Sequence, residues 1–281
     1  MGSHKLIPDK IVAVVQARMS ATRLPEKVLL DIGGEPMLRR VVDRTRRSKF
    51  IDEVIVVTSQ EEADDPIANY CREQGIDIFR GSLHDVLDRC YQAAKSYTAK
   101  VVVRITADCP IIDPLVIDQT MAAFFGNGPH LITEKNSSWP DVSSDVEPSW
   151  DFAANRLPPP WKRTFPIGLD TEVCTFSALE TAWREADQPH QREHVMPYLY
   201  ENDQFFRVLL VNHEPDFGSL RWTVDTHQDL ELIREVYKHF GGRDDFSWLE
   251  VLELFKREPE LGEINADVSH KHYRDVEKVD E

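Results

Sequence analysis

A loop rich in cations follows the first apolar run of the sequence. Residues 16–27 read QARMSATRLPEK and contain Arg18, Arg23 and Lys27 together with two hydroxyl side chains. The arginine fork and the lysine point charge both suit phosphate oxygens, and small residues between them let backbone N–H groups approach an anion. A solvated basic loop could have the same composition. The glycine spacings of Walker and dinucleotide-binding loops are absent, so those two phosphate-binding routes are not supported.

Two aspartates follow apolar runs farther along the chain. Asp108 comes shortly after the run at 101–105, and Asp225 comes directly after the run at 220–224. Mg²⁺ favours one or two carboxylates together with phosphate oxygens and water, so two strand-end aspartates over a phosphate group make chemical sense. Each aspartate could instead cap the helix that follows it, which is a common role of this residue. The spacing alone leaves both interpretations open.

These residues need a scaffold that brings distant loops together. Short β-branched apolar runs alternate with segments whose apolar residues recur at three- and four-residue spacing. The runs lie at 11–16, 54–58 and 101–105, and the helical segments at 36–47, 64–73 and 83–97. Such alternation predicts right-handed crossovers and a mostly parallel sheet with a ligand crevice at the carboxyl ends of its strands. The loops after Gln16, Thr58 and Ile105 are therefore expected to line that crevice.

The alternation of predicted strands and helices is interrupted near the middle of the chain. Residues 133–160 are rich in Ser, Pro, Asp and Trp and show no sustained periodicity. Order then returns, with strands predicted at 169–176, 205–211 and 220–224, helices at 178–186, 190–201 and 228–239, and a last helix from Ser247. We expect a single domain over 8–257 with a loop excursion near 133–165, and a charged C-terminal tail over 258–281.

Composition narrows the class of protein further. The chain of 281 residues is long enough for one large α/β domain, and its formal net charge of −16 argues against nonspecific binding to nucleic acid. No run of about 18 apolar residues could span a bilayer, so membrane insertion is not predicted. The opening residues lack an apolar signal core, and the four cysteines are widely spaced, as free thiols would be. A cytoplasmic location is the expectation.

Several separate motifs resemble one known family. The segment QARMSATRLPEKVLLDIGGEPML resembles the opening motif of the sugar-acid cytidylyltransferases, which include the 3-deoxy-manno-octulosonate and acylneuraminate enzymes. The spore coat polysaccharide biosynthesis cytidylyltransferase-like family is more similar still. That resemblance rests on DVLDRCYQAA (85–94), VRITADCPIIDP (103–114), FPIGLDTEV (165–173), REHVMPYLY (192–200), RWTVDT (221–226) and INADVSHK (264–271). Residues 133–151 match no part of that pattern.

The resemblance implies a fold and a reaction. The fold would be a three-layer α/β/α sandwich of the nucleotide-diphospho-sugar-transferase-like type. The reaction would be a Mg²⁺-dependent transfer of CMP from CTP to a small anionic acceptor with release of pyrophosphate, as in surface polysaccharide biosynthesis. The acceptor could be a sugar acid, a phosphosugar or another small phosphate. A homodimer is the default expectation for such an enzyme.

The resemblance also implies roles for particular residues. The catalytic residues would be Arg18, Lys27, Asp108 and Asp225, with the two aspartates holding Mg²⁺. The nucleotide-binding residues would be Gln16, Ala17, Arg18, Arg23, Lys27, Thr58, Ser59, Gly81 and Ser82. The residue pattern itself, rather than the resemblance, suggests acceptor binding by Arg163, Asp170, Glu172, Arg192 and His194. A packed surface loop over 155–172, a surface ion pair of Arg192 and a structural role of His194 are the alternatives. An acceptor that is already ionised at neutral pH needs little base catalysis, so His194 is not assigned as a general base.

Two other functions fit a fold of this kind. Glycosyltransferases that use sugar nucleotides can share the architecture and need a divalent metal, but they commonly carry an Asp-x-Asp motif. This sequence contains no Asp-x-Asp. A nucleotide-binding protein without turnover is the second alternative, and release of pyrophosphate from CTP would distinguish it from an enzyme.

Overall fold

The apolar runs of the sequence form the strands of the main sheet. The structure is a computed structural model that describes residues 10–136, 138 and 147–269. Its strands are β1 (Lys10–Gln16), β2 (Asp31–Ile32), β3 (Glu35–Pro36), β4 (Glu53–Ser59), β5 (Asp77–Gly81), β6 (Ala99–Thr106), β7 (Leu131–Thr133), β8 (Phe152–Ala154), β9 (Glu172–Thr175), β10 (Val208–Leu210) and β11 (Asn212–Glu214). Its helices are α1 (Met37–Arg46), α2 (Asp65–Glu73), α3 (Val86–Ser96), α4 (Pro114–Phe124), α5 (Phe176–Glu185), α6 (Pro189–His194), α7 (Pro197–Glu201), α8 (His227–His239) and α9 (Trp248–Arg257).

Seven of the described strands pair in the order β10-β8-β9-β6-β1-β4-β5. Strand β1 lies between β6 and β4 and is parallel to both. Strand β9 is antiparallel to its neighbours β6 and β8, whereas the other pairs of this sheet are parallel. Because parallel strands end at the same edge, the loops after β1 and β6 lie side by side.

Helices cover both faces of the sheet. In β1 the side chains of Ala13 and Val15 join one apolar cluster, while those of Val12 and Val14 join the other. This alternation follows from the two-residue period of a strand. The first cluster includes residues of α1, α4, α8 and α9, and the second includes residues of α3, α5 and α7. The predicted three-layer α/β/α sandwich with a mostly parallel sheet is confirmed. None of the described helices is long and apolar enough to cross a membrane.

Three predicted elements differ from the structure. The loop excursion predicted near 133–165 contains β8 (Phe152–Ala154), a buried inner strand of the main sheet. The single helix predicted over 190–201 is divided into α6 and α7 at Val195, whose φ is 73°. Proline has no N–H to donate, so Pro197 can begin a helix but cannot continue one, and it lies in the first turn of α7. The strand predicted over 220–224 was wrong, because this segment makes only an isolated bridge between Arg221 and Ile167.

Buried residues also occur beyond residue 257, where the charged tail was predicted to begin. A 3₁₀ turn, Pro259–Glu263, follows α9, and Leu261 and Asn265 are both buried. A charged segment can therefore still contribute a few well-packed residues. Residues 270–281 of the predicted tail lie outside the described residues. Residues 137 and 139–146, nine residues of the predicted loop excursion, also lie outside the described residues.

Arg44 joins three parts of the sandwich. Its guanidinium is fully buried and donates to the carbonyl oxygens of Ile112 at 2.6 Å, Asp244 at 2.9 Å and Phe246 at 3.0 Å. It also lies 3.8 Å from the buried carboxylate of Asp113. The arginine thus connects α1 with the segments that precede α4 and α9.

Replacing Arg44 with Met is expected to lower the free energy of unfolding by about 3–5 kcal/mol, because it leaves a buried carboxylate and several carbonyls without their donor. Urea denaturation measures this change. The control is Arg46→Met on the same helix, since that side chain is 40% exposed. The control is expected to change the free energy of unfolding by no more than about 0.5 kcal/mol. Equal losses in the two variants would contradict the prediction.

Candidate active site

A cavity of about 280 Å³ lies at the sheet edge where β1 and β6 end. Its lining comes from the loop after β1, the loop after β6, the segment before β9, helices α6 and α7, and the segment before α8. Of the residues singled out in the sequence, it contains Gln16, Ala17, Arg18, Arg23, Lys27, Asp108, Asp170, Glu172, His194 and Asp225. The sheet topology therefore brings together residues that lie more than 200 positions apart in the chain.

Lys27 is the central cation at one end of the cavity. It begins a 3₁₀ turn, Lys27–Leu29, and is only 8% exposed. Its Nζ donates at 2.8 Å to each of three oxygens, Oδ2 of Asp108, Oδ1 of Asp225 and the carbonyl of Val224. These contacts match the three donors of an ammonium group. Burial alone would lower the pKa of Lys27, but the two carboxylates outweigh it and raise the pKa, so the lysine is charged at neutral pH.

Asp225 is surrounded by cations. Besides Lys27, its Oδ2 atom lies 2.9 Å from Arg23 and 2.7 Å from Arg221. Burial by itself would raise the pKa of this carboxyl group, but Lys27 and the two arginines hold the pKa well below its ordinary value. Asp225 is consequently ionised throughout the neutral range.

Neither aspartate caps a helix. The N-cap of α4 is Asp113, whose carboxylate accepts from the backbone N–H of Leu115, and the N-cap of α8 is Thr226. The capping interpretation of Asp108 and Asp225 is therefore wrong. Instead the backbone carbonyl of Asp108 accepts from the N–H of Val224 at 2.8 Å, which aligns the end of β6 with the segment that carries Asp225.

The donor set of this end suits Mg²⁺. Asp108 and Asp225 both point at one cation, the Lys27 ammonium, so their oxygens already converge on a positive charge. The described residues contain no group of three or more His, Cys, Asp or Glu that could hold a metal. Two carboxylates are too few for a site made of protein ligands alone. They match Mg²⁺, which usually keeps water and phosphate oxygens among its ligands.

The other end of the cavity contains arginine–carboxylate pairs. Arg104, in β6, donates to Oε2 of Glu172 through one terminal nitrogen and to Oε1 of Gln16 at 2.7 Å through the other. Arg104 was not singled out in the sequence. A charged residue inside the apolar run of β6 was the available signal, because a buried strand admits an arginine only when its charge is paired.

Asp170 is held by two arginines. Arg163 contacts both of its carboxylate oxygens, and Arg156 lies 3.6 Å away. Arg156 lines the cavity, whereas Arg163, predicted to bind the acceptor, supports Asp170 from outside the lining. Arg192, predicted for the same role, instead donates to Asp85 at the start of α3.

Two features fold the loop between β8 and β9 against the rest of the site. Asn155 is fully buried, and its amide donates to the carbonyl of Leu169 at 2.7 Å and accepts from the N–H of Thr171 at 2.9 Å. Gly168 has a φ of +108°, and a Cβ atom there would lie 2.7 Å from the backbone nitrogen of Thr223. Only glycine permits this approach. The segment before β9 and the segment that carries Asp225 therefore pack against each other at Gly168.

His194 ends α6 and lines the cavity. Burial, with a smaller contribution from Arg104, lowers its pKa to about 4. Its Nε2 atom is buried and has no hydrogen-bond partner in the described part of the chain. The imidazole is thus neutral at physiological pH and adds no charge to the cavity.

Four residues predicted to contact the nucleotide lie outside this lining. Thr58 and Ser59 are fully buried at the end of β4, and Ser59 donates to Asp64. Asp64 in turn accepts from the backbone N–H of Met19 at 2.7 Å and so anchors the loop after β1. Gly81 and Ser82 line a separate, shallow depression. Nucleotide binding by these four residues stays a prediction.

Comparisons with known proteins agree with the resemblance seen in the sequence. A family model described as cytidylyltransferase matches residues 12–243. The spore coat polysaccharide biosynthesis protein SpsF of Bacillus subtilis is 31% identical over 267 residues, which cover 92% of this chain and 100% of that protein. A 3-deoxy-manno-octulosonate cytidylyltransferase of Chlorobium phaeobacteroides is 28% identical over 251 residues, covering 82% of this chain and 98% of that enzyme.

The fold has a similar relative among solved structures. A cytidylyltransferase from Leptospira borgpetersenii superposes with a TM-score of 0.77 at 31% identity, over 94% of this chain and 99% of that one. The nucleotide-diphospho-sugar-transferase-like architecture expected from the sequence motifs is confirmed by this likeness.

Proposed function

The chain belongs to the cytidylyltransferase family, and from this premise we propose that it transfers CMP from CTP to a small anionic acceptor, with Mg²⁺ bound at Asp108 and Asp225. Pyrophosphate is the second product. The observation that carries the proposal is the convergence of Asp108 and Asp225 on Lys27, with Arg23 paired to Asp225, in one cavity at the carboxyl ends of β1 and β6. Such an arrangement suits a bound triphosphate that brings its own metal.

In the proposed reaction an acceptor oxygen attacks the α-phosphorus of CTP in line with the leaving group. The bond from the α-phosphorus to the bridging oxygen breaks, and its electron pair leaves with pyrophosphate. Arg18, Arg23 and Lys27 offset the charge of the triphosphate, and their contribution grows as charge moves onto the leaving group. Mg²⁺, when bound, would neutralise phosphate charge and orient the phosphates.

The opposite end of the cavity is proposed to bind the acceptor. It presents Arg104 and Arg156 beside the carboxylates of Asp170, Glu172 and Glu193. An acceptor that combines an anionic group with several hydroxyls matches this mixed lining, because arginines bind the anion and carboxylates accept from hydroxyls. Sugar acids and phosphosugars have this chemistry. His194 is neutral, so it adds no charge to this end of the cavity.

The proposal includes the setting of the reaction. A relative named as a spore coat polysaccharide biosynthesis protein and relatives named as 3-deoxy-manno-octulosonate cytidylyltransferases support a role in surface polysaccharide biosynthesis. The four cysteines are free and buried, which suits the reducing cytoplasm. We propose a cytoplasmic enzyme that acts as a homodimer, without nucleic acid as a partner.

The nucleotide specificity is a direct test. With Mg²⁺ and a matching acceptor, CTP is expected to give a kcat/KM about 100-fold or more above that of UTP, because a pocket that hydrogen-bonds the cytosine amine rejects a base without it. The assay is pyrophosphate release for four nucleoside triphosphates against a panel of carboxylate and phosphate acceptors.

Two results would contradict this specificity. Equal rates with all four nucleotides, or a preference for UTP, would remove the cytosine assignment. Stabilisation by CTP without pyrophosphate release from any acceptor would indicate a nucleotide-binding protein that does not turn over.

A further inference from the structure

The segment after α9 reaches the nucleotide end of the cavity through a buried side chain. Asn265 is 6% exposed, although most of its neighbours in the segment are charged or exposed. Its Nδ2 donates to the carbonyl of Arg221 at 3.0 Å and to Oδ1 of Asp229 at 2.9 Å. Both hydrogens of the amide are therefore used inside the fold.

Asp229 connects Asp225 to Asn265, because its carboxylate hydrogen-bonds both residues. It is fully buried, and its Oδ2 accepts from the backbone N–H of Asp225 and from the N–H and hydroxyl of Thr226, each at 3.0 Å. Its Oδ1 accepts from Nε of Arg221 at 2.9 Å. Arg221 then donates through Nη2 to Oδ2 of Asp225 at 2.7 Å. The Asp229 carboxylate thus fixes the backbone of Asp225. It also fixes Arg221, which holds the Asp225 side chain.

The segment after α9 makes a second contact near Asp225, through Arg23. The carbonyl oxygen of Ser269 accepts from Nη1 of Arg23 at 3.3 Å, and Nη2 of Arg23 pairs with Oδ2 of Asp225 at 2.9 Å. Arg23 and Arg221, the two arginines that pair with Oδ2 of Asp225, therefore both contact residues 265–269. With Oδ2 held in this way, Oδ1 faces Lys27.

We propose that Asn265 is a positioning residue of the transfer reaction, which orients the carboxylate of Asp225 through Asp229 and Arg221. The inference rests on the proposed function, in which Asp225 acts at the triphosphate. Groups that hydrogen-bond a functional carboxylate or its partners typically change activity 10- to 100-fold when removed. Loss of the Asn265 amide removes one of the two described donors to Oδ1 of Asp229 and the donor to the Arg221 carbonyl, so the Arg221 guanidinium and the Asp225 side chain gain other orientations.

The test is Asn265→Ala with Asp267→Ala as the matched control, because Asp267 lies in the same segment and is exposed. We expect kcat to fall about 10- to 30-fold in Asn265→Ala, with the KM for the acceptor unchanged, when both variants are assayed well below their melting temperatures. The control is expected to keep the normal kcat. Asn265→Ser, which keeps one donor, is expected to give an intermediate loss and serves if the alanine variant does not fold.

Amide hydrogen exchange at Asp225 provides a readout that does not depend on turnover. This N–H donates to Asp229, so its exchange is expected to be about 10-fold faster in Asn265→Ala or Asn265→Ser and unchanged in Asp267→Ala. If the wild-type protein releases no pyrophosphate from CTP, the proposed function fails while this measurement still reports on positioning. A folded Asn265 variant with normal kcat, or with normal exchange at Asp225, would overturn the inference.

Discussion

Replacing Lys27 with Met is expected to lower kcat about 100-fold, which corresponds to roughly 2.7 kcal/mol of lost transition-state stabilisation. The lysine is buried and charged between Asp108 and Asp225 at the proposed triphosphate end. A cation in this position gains interaction energy as negative charge develops on pyrophosphate, so its loss raises the barrier. Pyrophosphate release at saturating CTP and acceptor measures the effect.

The control for this variant is Lys256→Met, because that lysine is 63% exposed on α9. It is expected to leave kcat and both KM values unchanged. Lys27→Met removes a cation from between two carboxylates, so its melting temperature must be measured to confirm that it is folded at the assay temperature. A rise in the KM for CTP with a normal kcat would mean that Lys27 binds ground state and transition state equally, and its catalytic role would be withdrawn.

A comparable loss is expected for Asp108→Asn, with about 100-fold lower turnover at low Mg²⁺ that rises as Mg²⁺ is added. The amide keeps the shape and one oxygen of the carboxylate but removes the charge that balances a cation. The fold is expected to survive, because the contacts that Asp108 makes with Thr223 and Val224 use its backbone oxygen. Turnover measured as a function of Mg²⁺ concentration tests the metal dependence, and the melting temperature of the variant tests whether the fold survives.

The double variant Asp108→Asn with Asp225→Asn distinguishes a shared ion from separate roles. If both carboxylates hold the same ion, the second substitution costs much less than it does alone, because residues that act as a unit are not additive. Asp203→Asn, an exposed aspartate, is the control and is expected to behave as the wild type. Near-normal turnover of Asp108→Asn at low Mg²⁺ would place the metal elsewhere.

The sequence was sufficient to predict that Lys27 and Asp108 would meet at one edge of the sheet. Strands β1, β4 and β6 are β-branched runs covered on both faces, and such runs define a parallel sheet almost independently of the rest of the chain. Once the sheet is parallel, the ends of its strands must share an edge. Lys27 and Asp108 follow two neighbouring strands, so their meeting required no knowledge of side-chain contacts.

The opposite end was less predictable because it depends on long-range pairing. Strand β9 runs antiparallel to β6, so Glu172 reaches this edge as the first residue of its strand. A rule based on the carboxyl ends of strands does not find such a residue. Local sequence also does not say which carboxylate an arginine will meet. Arg163 and Arg192 therefore looked like ligand-binding residues, but in the structure they pair with Asp170 and Asp85.

The Asn155 amide, which closes the loop between β8 and β9, separates a short part of the wall proposed for the acceptor from the rest of the fold. The loop leaves and re-enters the sheet at adjacent positions, since Ala154 pairs with Glu172, and the Asn155 side chain bonds the returning chain at Leu169 and Thr171. Residues 156–163 thus form a short loop that follows Asn155 and ends before Thr164, Phe165 and Ile167, which are bonded or packed into the rest of the fold. Exchanging this loop between relatives is expected to alter the wall proposed for the acceptor without changing the residues that contact Lys27. New acceptors could then arise by recombination in one short stretch of gene.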